Sequence, residues 1–281
     1  MISASIVLYN TNEEDIRRVI NCVNNTSINT IYVIENSPSD KFRELCLALS
    51  DKLEYIWGNG NIGYGKAHNI ALSKAIKAGF RYHVILNPDI SFERGTIENI
   101  TSFMEGHPDV GYILPDVVYP NGNEQYLCKM LPTPLDIFGR RLLPEAITRN
   151  RNYKFEMRAT GYAKTRNVPI LSGCFMFLRM DVIKKVGMFD DRFFMYFEDF
   201  DLTRRIHQVS KTVFYPKVQI VHNHAAEHRT SKTLLKISIQ SAIRYFNKWG
   251  WLIDKERMKI NRHAFDDNNI IDWDENIDYR D

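Results

Sequence analysis

Cysteine is scarce: four residues in 281, at 22, 46, 128 and 174, with no C-x-x-C pair among them. Widely spaced thiols, of which Cys22 and Cys174 sit in apolar segments, read as buried and reduced, so neither a disulfide framework nor structural zinc is expected. No apolar run approaches the ~18 residues that a membrane span needs, and MISASIVLYN lacks the basic start and long apolar stretch of a leader. The expectation is a cytoplasmic chain that is neither exported nor membrane-spanning. Internal repeats, low-complexity tracts and Pro/Gly/Ser-rich linkers are also missing. Disordered, collagenous and solenoid classes are thereby excluded, and one large domain with a C-terminal extension is favoured.

What is present is ordinary globular composition, 44% hydrophobic and 25% charged. The net charge of +3 hides an asymmetry: residues 266–281 hold seven acids against Arg280, a net of −6, which leaves +9 on the rest. Much of that excess lies in 127–166. There Lys129, Arg140, Arg141, Arg149, Arg151, Lys154, Arg158, Lys164 and Arg166 face only Asp136, Glu145 and Glu156. Such a surface attracts phosphate, on a nucleotide, a lipid head group or a nucleic acid.

The first 115 residues alternate β-rich runs (SIVLY, TIYVIE, LEYIW, YHVILN) with helical patterns near 12–25, 40–50 and 66–78. Alternation of this kind predicts a parallel sheet covered by helices. Thr11 and Glu14 read as a capping box on the first helix, Ser39 as the cap of the second, and Gly79 as the end of the third. Ligands bind beyond the carboxyl ends of such strands, so Tyr9, Asn10, Glu35, Asn36, Asn87 and Asp89 are expected to line one crevice. PNGN at 120–123 reads as a hairpin turn. Residues 128–168 show no clean period and read as a long loop with a function of its own. Then come strands at ILSGCFMFLR, TVFYP and VQIVHNH, helices at DVIKKVG and FEDFDLTRRIHQVS, and a helix over 231–249 with Leu235, Ile239, Ala242, Phe246 and Trp249 on one face.

Four constellations carry chemistry. Gly58, Gly60 and Gly63 spell G-x-G-x-x-G, but after the third strand and without the acidic residue expected ~20 positions on, so a flexible turn competes with a nicotinamide site. Asp89, following Asn87-Pro88 at a strand end, suits a divalent cation held against phosphates; a turn-forming Asp is the plain alternative. Glu198, Asp199 and Asp201 directly follow Phe193-Phe194-Met195-Tyr196-Phe197, and acids crowded beside apolar surface raise one another's pKa, as a general base or metal site requires. Helix capping accounts for one or two of them. Helical spacing puts Glu198 and Asp201 on one face and Asp199 elsewhere. Finally, His222 and His224 alternate onto one face of the last strand, where they serve either as polar surface groups or as ligands for a manganese- or magnesium-like site.

Two rival classes remain at this point. A nicotinamide-dependent oxidoreductase rests on the three glycines alone. A noncatalytic nucleotide or RNA binder uses the basic surface but gives no reason for the acids and histidines to occur together. A sugar-1-phosphate nucleotidyltransferase needs a Gly-rich, basic loop after the first strand, where YNTNEEDI stands instead.

In order and spacing, the segments SIVLYN, VIENSPSD, NIGYGKAHNIAL, LNPDI, GCFMFLRMDVIKKVGMFDDRFFMYFEDFDLTRRI and VHNH resemble the inverting family 2 glycosyltransferases of GT-A fold, in their rhamnosyltransferase-like branch of bacterial surface-polysaccharide enzymes. The resemblance runs from Ser3 to about Trp249. It implies an α/β fold, a Rossmann-like, mostly parallel sheet flanked by helices with a C-terminal helical appendage. The implied domains are a catalytic unit over 1–230, with a nucleotide-binding half (1–115) and an acceptor half (116–230), then helices and an acidic tail over 231–281. By position, Tyr9 and Asn10 match residues that contact the base, and Glu35 stands where the family usually has an Asp bonded to base or ribose. Asn36, Asn61, Gly63 and Lys66 join them around the nucleotide sugar. Asn87-Pro88-Asp89 matches the metal-binding DxD with its first acid replaced, so Asp89 becomes the main carboxylate ligand, and His222 completes the manganese or magnesium site. Asp199 matches the catalytic base, Glu198 and Asp201 support its loop, and Gly173 lets the backbone approach the sugars. The implied partners are a nucleoside-diphosphate sugar and a saccharide or lipid-diphosphate-linked acceptor, with no nucleic acid. The basic 127–166 segment and the 231–249 helix add a second expectation, contact with the inner face of an anionic membrane.

Overall fold

A computed structural model describes residues 1–140, 143–223 and 232–271. Its first half alternates as expected: β1 (Ile2–Leu8), α1 (Glu13–Asn24), β2 (Thr30–Glu35), α2 (Arg43–Leu49), β3 (Leu53–Ile56), α3 (Tyr64–Lys77) and β4 (Tyr82–Leu86). β5 (Ile90–Phe92), α4 (Thr96–Gly106) and β6 (Val110–Val118) follow. After them come α5 (Glu145–Phe155), β7 (Arg166–Asn167), β8 (Phe175–Arg179), α6 (Met180–Val186), α7 (Glu198–His207), β9 (Lys211–His222), α8 (Lys232–Trp249) and α9 (Lys255–His263). Every residue of β1 and β4 is buried, as strands covered by helices on both faces must be.

The strands form one sheet in the order β3-β2-β1-β4-β8-β6-β9-β5, with β7 on β9. β1 to β4 run parallel, but β8 runs antiparallel between β4 and β6, and β5 and β7 are antiparallel to β9. The sheet is therefore parallel from β1 to β4, as the alternation predicts, and mixed beyond them. Strand direction depends on the route of the connection, which no local pattern encodes.

Several local expectations are corrected. The cap of α1 is Asn12, whose Oδ1 accepts the Asp15 N–H at 2.8 Å, while Thr11 Oγ1 takes the Tyr9 N–H at 3.2 Å. The hydroxyl is thus engaged upstream and no capping box forms. Ser39 caps nothing: α2 starts four residues later behind Phe42, which makes no side-chain cap bond. Gly79 does follow α3, at φ +74°, and PNGN does turn, with Gly122 at φ +81° and the Tyr119 N–H bonded to Asn123. TVFYP and VQIVH form one strand, β9, whose pairing with β6 shifts register between Tyr215 and Gln219 around Pro216, which has no N–H to give. The 128–168 stretch is no simple loop. It holds a π-helical turn at Leu135–Gly139, α5 and a 3-10 turn at Arg158–Thr160.

Cys46, Cys128 and Cys174 are buried free thiols and Cys22 is half-buried. Among the described residues no helix is long and apolar enough to cross a membrane. The second half of α8 docks on the aromatic segment before α7. Ala242, Tyr245 and Phe246 join Phe193 and Phe197 in an aromatic cluster, whereas Leu235 stays 40% exposed despite its place on the expected face. The expected boundary at 230 and the acidic tail from 272 onward lie outside the described residues.

The C-terminal helices are fastened to α7 by charge. Arg204, almost fully buried, donates to both oxygens of Asp254 (2.8 and 2.9 Å) and to Glu256 Oε2 at 2.8 Å, and its guanidinium lies 4.1 Å from the Trp249 ring centroid. Asp254 also caps α9 through the Arg257 N–H. Removing one partner of a buried pair strands the other charge. Asp254→Ala should therefore destabilise the fold by about 3 kcal/mol, read as a lower urea midpoint; an unchanged midpoint would show that the pair carries no net stability.

Candidate active site

The strand ends bring the nucleotide-side candidates together. β1 delivers Tyr9, half exposed, and Asn10, whose left-handed backbone (φ +50°) lets its N–H reach Ser37 Oγ at 2.8 Å. β2 delivers Glu35, only 1% exposed, with Oε1 accepting the Ser37 N–H at 2.9 Å and Oε2 accepting the Tyr55 hydroxyl at 3.2 Å. Glu35 thus holds the Ser37 turn, and Trp57 Nε1 donates to that turn's carbonyl at 3.3 Å. Asn36 is buried, its N–H bonded to Leu8 and its Nδ2 donating to the Gly63 carbonyl at 3.2 Å. Asn61 and Lys66 are exposed on either side of that glycine.

Gly63 explains part of the glycine motif. At φ +89° its Cβ would sit 2.2 Å from the Phe194 carbonyl oxygen, and the next residue's N–H, that of Tyr64, bonds this same carbonyl at 2.9 Å. The glycine is required by a backbone approach from the segment before α7. Gly58 and Gly60 have positive φ but nothing nearby, so a dinucleotide turn is not needed to account for any of the three.

The cation-side candidates also converge. His222 Nε2 lies 3.3 Å from Asp89 Oδ1 and 3.5 Å from Asn87 Nδ2, and the Asn223 N–H donates to the Asp89 carbonyl. His222 Nδ1 faces Gln125 Oε1 at 3.0 Å, and Gln125 Nε2 returns a bond to the His222 carbonyl at 2.7 Å. With Nδ1 so oriented, Nε2 is the nitrogen left facing Asp89, the arrangement that metal-ligating histidines adopt. Burial alone would lower His222, but the Cys174 sulfur and the Asp89 carboxylate outweigh it and carry the ring up to about 10, so a cation bound at Nε2 would displace that proton. Among the described residues no group of three or more His, Cys, Asp or Glu is arranged to hold a metal ion by itself. One imidazole and one carboxylate suit a hard cation whose remaining positions go to phosphate oxygens and water. His224 lies outside the described residues.

The three acids of α7 separate. Tyr196 and Phe197 both take left-handed backbone (φ +68°), a strain of order 1–3 kcal/mol each that is found where structure serves a site. That bend aims Asp199 at the β8 loop, where Oδ2 accepts the Gly173 N–H at 3.0 Å and Oδ1 the Phe200 N–H at 2.9 Å. A Cβ at Gly173 would come within 3.0 Å of Asp199 Cβ. Glu198 is buried, and burial with the adjacent Asp199 charge holds its carboxyl well above the ordinary range. Burial raises Asp199 too, against the Gly173 N–H and the Lys129 cation, which favour its ionised form. Asp201 goes elsewhere. Wholly buried, it accepts from Arg205 Nε (2.9 Å), Trp249 Nε1 (2.8 Å) and Lys248 Nζ (2.7 Å), and so docks α8.

One hydroxyl joins the two groups: Tyr64 Oη donates to the Gly173 carbonyl at 2.7 Å and lies 3.1 Å from the Asn87 side-chain oxygen. Comparison with known proteins now decides the family, for residues 3–187 match the model of glycosyl transferase family 2. The chain belongs to that family. Its relatives include N-acetylglucosaminyl-diphospho-decaprenol L-rhamnosyltransferase of Mycobacterium tuberculosis, 24% identical over 212 residues, 72% of this chain and 68% of the relative. Another is the low-salt glycan biosynthesis hexosyltransferase Agl10 of Haloferax volcanii, 27% identical over 210 residues, 72% of this chain and 60% of the relative. Among solved structures, mannosyltransferase PcManGT from Pyrobaculum calidifontis, in complex with GDP-Man and Mn2+, superposes at TM-score 0.62 with 15% identity, over 94% of this chain and 68% of that one. TarS of S. aureus superposes at 0.58 with 15% identity, over 95% of this chain but 44% of that one. These likenesses establish the GT-A fold, and the family membership excludes the nicotinamide oxidoreductase and noncatalytic-binder readings.

Of the glycosyltransferase's site, sequence reasoning missed Tyr64, Gln125 and Lys129. Tyr64 lies within the NIGYGKAHNIAL segment without standing out from it. Gln125 follows the PNGN turn with no signal at all. Lys129 was one cation of a basic stretch; it lies near enough to Asp199 for their charges to interact. Tyr64→Phe leaves the Gly173 carbonyl without its partner. It should lower stability by about 1–2 kcal/mol and kcat by at least about tenfold through misplacement of the two groups; urea unfolding and initial rates measure both, and a wild-type kcat would show that the bridge has no part in positioning.

Proposed function

We propose that this glycosyltransferase moves a hexosyl unit, rhamnose or a related sugar, from a nucleoside-diphosphate sugar to a lipid-diphosphate-linked saccharide with inversion, in surface-polysaccharide synthesis. The observation that carries the reading is that Tyr64 bonds both the Asn87 side chain, beside the Asp89–His222 pair, and the Gly173 carbonyl, beside Asp199. The relatives supply the finer terms: one is named for rhamnosyl transfer to a diphospho-decaprenol acceptor, and one solved neighbour holds a nucleotide sugar with manganese.

In this reading Tyr9, Asn10 and the turn held by Glu35 receive the base, while Asn36, Asn61, Gly63 and Lys66 line the path of the sugar diphosphate. Asp89 and His222 would hold manganese or magnesium, which would supply Lewis-acid stabilisation of the leaving diphosphate. Asp199 takes the proton of the acceptor hydroxyl as that oxygen forms its bond to the anomeric carbon. The bond to the diphosphate breaks on the opposite side, and the diphosphate leaves with the electron pair. Burial raises both neighbouring carboxyls and so makes Asp199 a stronger base than an exposed carboxylate; the Gly173 N–H and the Lys129 cation oppose the rise at Asp199, whereas the Asp199 charge adds to it at Glu198. Catalysis takes place in the cytoplasm at the inner membrane face, where such an acceptor resides.

The pair offers a direct test. A base works only when ionised, so activity should rise with pH through an acid limb above the ordinary Asp value of about 3.9. Asp199→Asn should lose about a thousandfold in kcat while still binding donor nucleotide. Glu198→Gln, which mimics a neutral carboxyl, should stay within about tenfold and leave the acid limb in place. Near-normal turnover by Asp199→Asn, or collapse confined to Glu198→Gln, would reverse the assignment.

A further inference from the structure

Trp251, Leu252 and Ile253 follow one another at the corner between α8 and α9, and all are exposed, Leu252 by 85% and Ile253 by 81%. Single exposed apolar residues are commonplace, but three in a row at a corner are not. The apolar surface continues inward. Leu135, Phe138 and Leu143 join Trp251 and Leu252 around a cavity of about 580 Å³, and Met258 stands exposed on α9.

The backbone beneath this corner is already satisfied. Buried Arg257 donates to the carbonyls of Pro132, Gly250, Trp251 and Leu252 at 3.1–3.3 Å. Carbonyls entering an apolar medium without partners are heavily penalised; here one guanidinium meets four of them, so the corner presents side chains outward and polar backbone inward.

Charge identifies the occupant. Arg244, Lys255, Lys259 and Arg262 are exposed in the same stretch, the last three on one face of α9, and none has an acidic partner among the described residues. Asp254 and Glu256, the only acids from 243 to 265, are bonded to Arg204. An apolar tip among unmatched cations fits the interface of an anionic bilayer. We propose that the α8–α9 corner docks on an anionic lipid surface, Leu252 and Ile253 inserting beneath the head groups while the cations face them. This rests on the reading of a lipid-linked acceptor and goes further, since it places the contact at the corner after α8 rather than on the 127–166 segment and the 231–249 helix. Asp254, at the corner, is bonded to Arg204 of α7, the helix that opens with Glu198 and Asp199, so docking fixes the height of the base above the surface.

The test is flotation of the full chain with vesicles of phosphatidylcholine, with and without phosphatidylglycerol, at low and high salt. Binding is expected only with the anionic lipid, weakened by salt. Leu252→Ser combined with Ile253→Ser should weaken it at least about tenfold while preserving turnover on a water-soluble acceptor. No binding by the unsubstituted chain, or undiminished binding by the double variant, would overturn the proposal. So would a dimer that the double variant splits without change in flotation, because a second copy would then be the occupant. Nucleoside-diphosphate binding, measured in parallel, separates the two readings: a chain that floats with anionic lipid but binds no nucleotide contradicts the transferase assignment and leaves the docking surface standing.

Discussion

Because β8 runs antiparallel to β4, its beginning lies where β4 ends, and Leu86 pairs with Phe175 while the Asn87 N–H bonds the Cys174 carbonyl. The proposed site depends on that reversal. A parallel β8 would place Gly173 beside the beginning of β4, a five-residue strand or about 17 Å from its end. With the reversal, the loop before β8 stands beside the β4 terminus, Tyr64 closes the gap, and α7 needs only a bend to lay Asp199 against the Gly173 N–H. β9, parallel to β6, then brings His222 to the same edge.

The C-terminal helices complete this arrangement by a different kind of force. Asp201 and Arg204, on the helix that carries the proposed base, are bonded to Trp249 of α8 and to Asp254 at the start of α9. The aromatic cluster of Phe193, Phe197, Tyr245 and Phe246 covers the strained Tyr196–Phe197 bend, so apolar burial offsets the left-handed backbone that aims Asp199. Three acids that look alike in sequence therefore do three things: Asp199 faces the loop, Glu198 is buried with its carboxyl held above the ordinary range, and Asp201 docks a helix.

Where the signal is local, the sequence was readable. The alternation from β1 to β4, the strand-end positions of Asn87 and Asp89, the Gly79 stop and the PNGN turn follow from period and punctuation. What needed distant partners was not. Gly63 answers to the Phe194 carbonyl, Gln125 orients a histidine at the far end of β9, and Tyr64 bridges two loops; none leaves a periodic trace. The same holds for caps: Thr11 has the right side chain, but its hydroxyl is taken by the Tyr9 N–H, and Asn12 caps instead. In 128–168 the π-turn and short helices are stabilised by packing and by pairs such as Arg151–Asp136 at 2.6 Å, which a search for hydrophobic period passes over.

The central claim is that one crevice takes a nucleoside diphosphate together with a divalent cation. It is tested most directly by thermal unfolding with dTDP, UDP, GDP or NAD, each with manganese, magnesium or chelator. A ligand at about 100 times its dissociation constant should add about 2.7 kcal/mol. The account predicts stabilisation by a nucleoside diphosphate that requires the metal and vanishes with chelator. Stabilisation by NAD alone, indifferent to chelator, would contradict it.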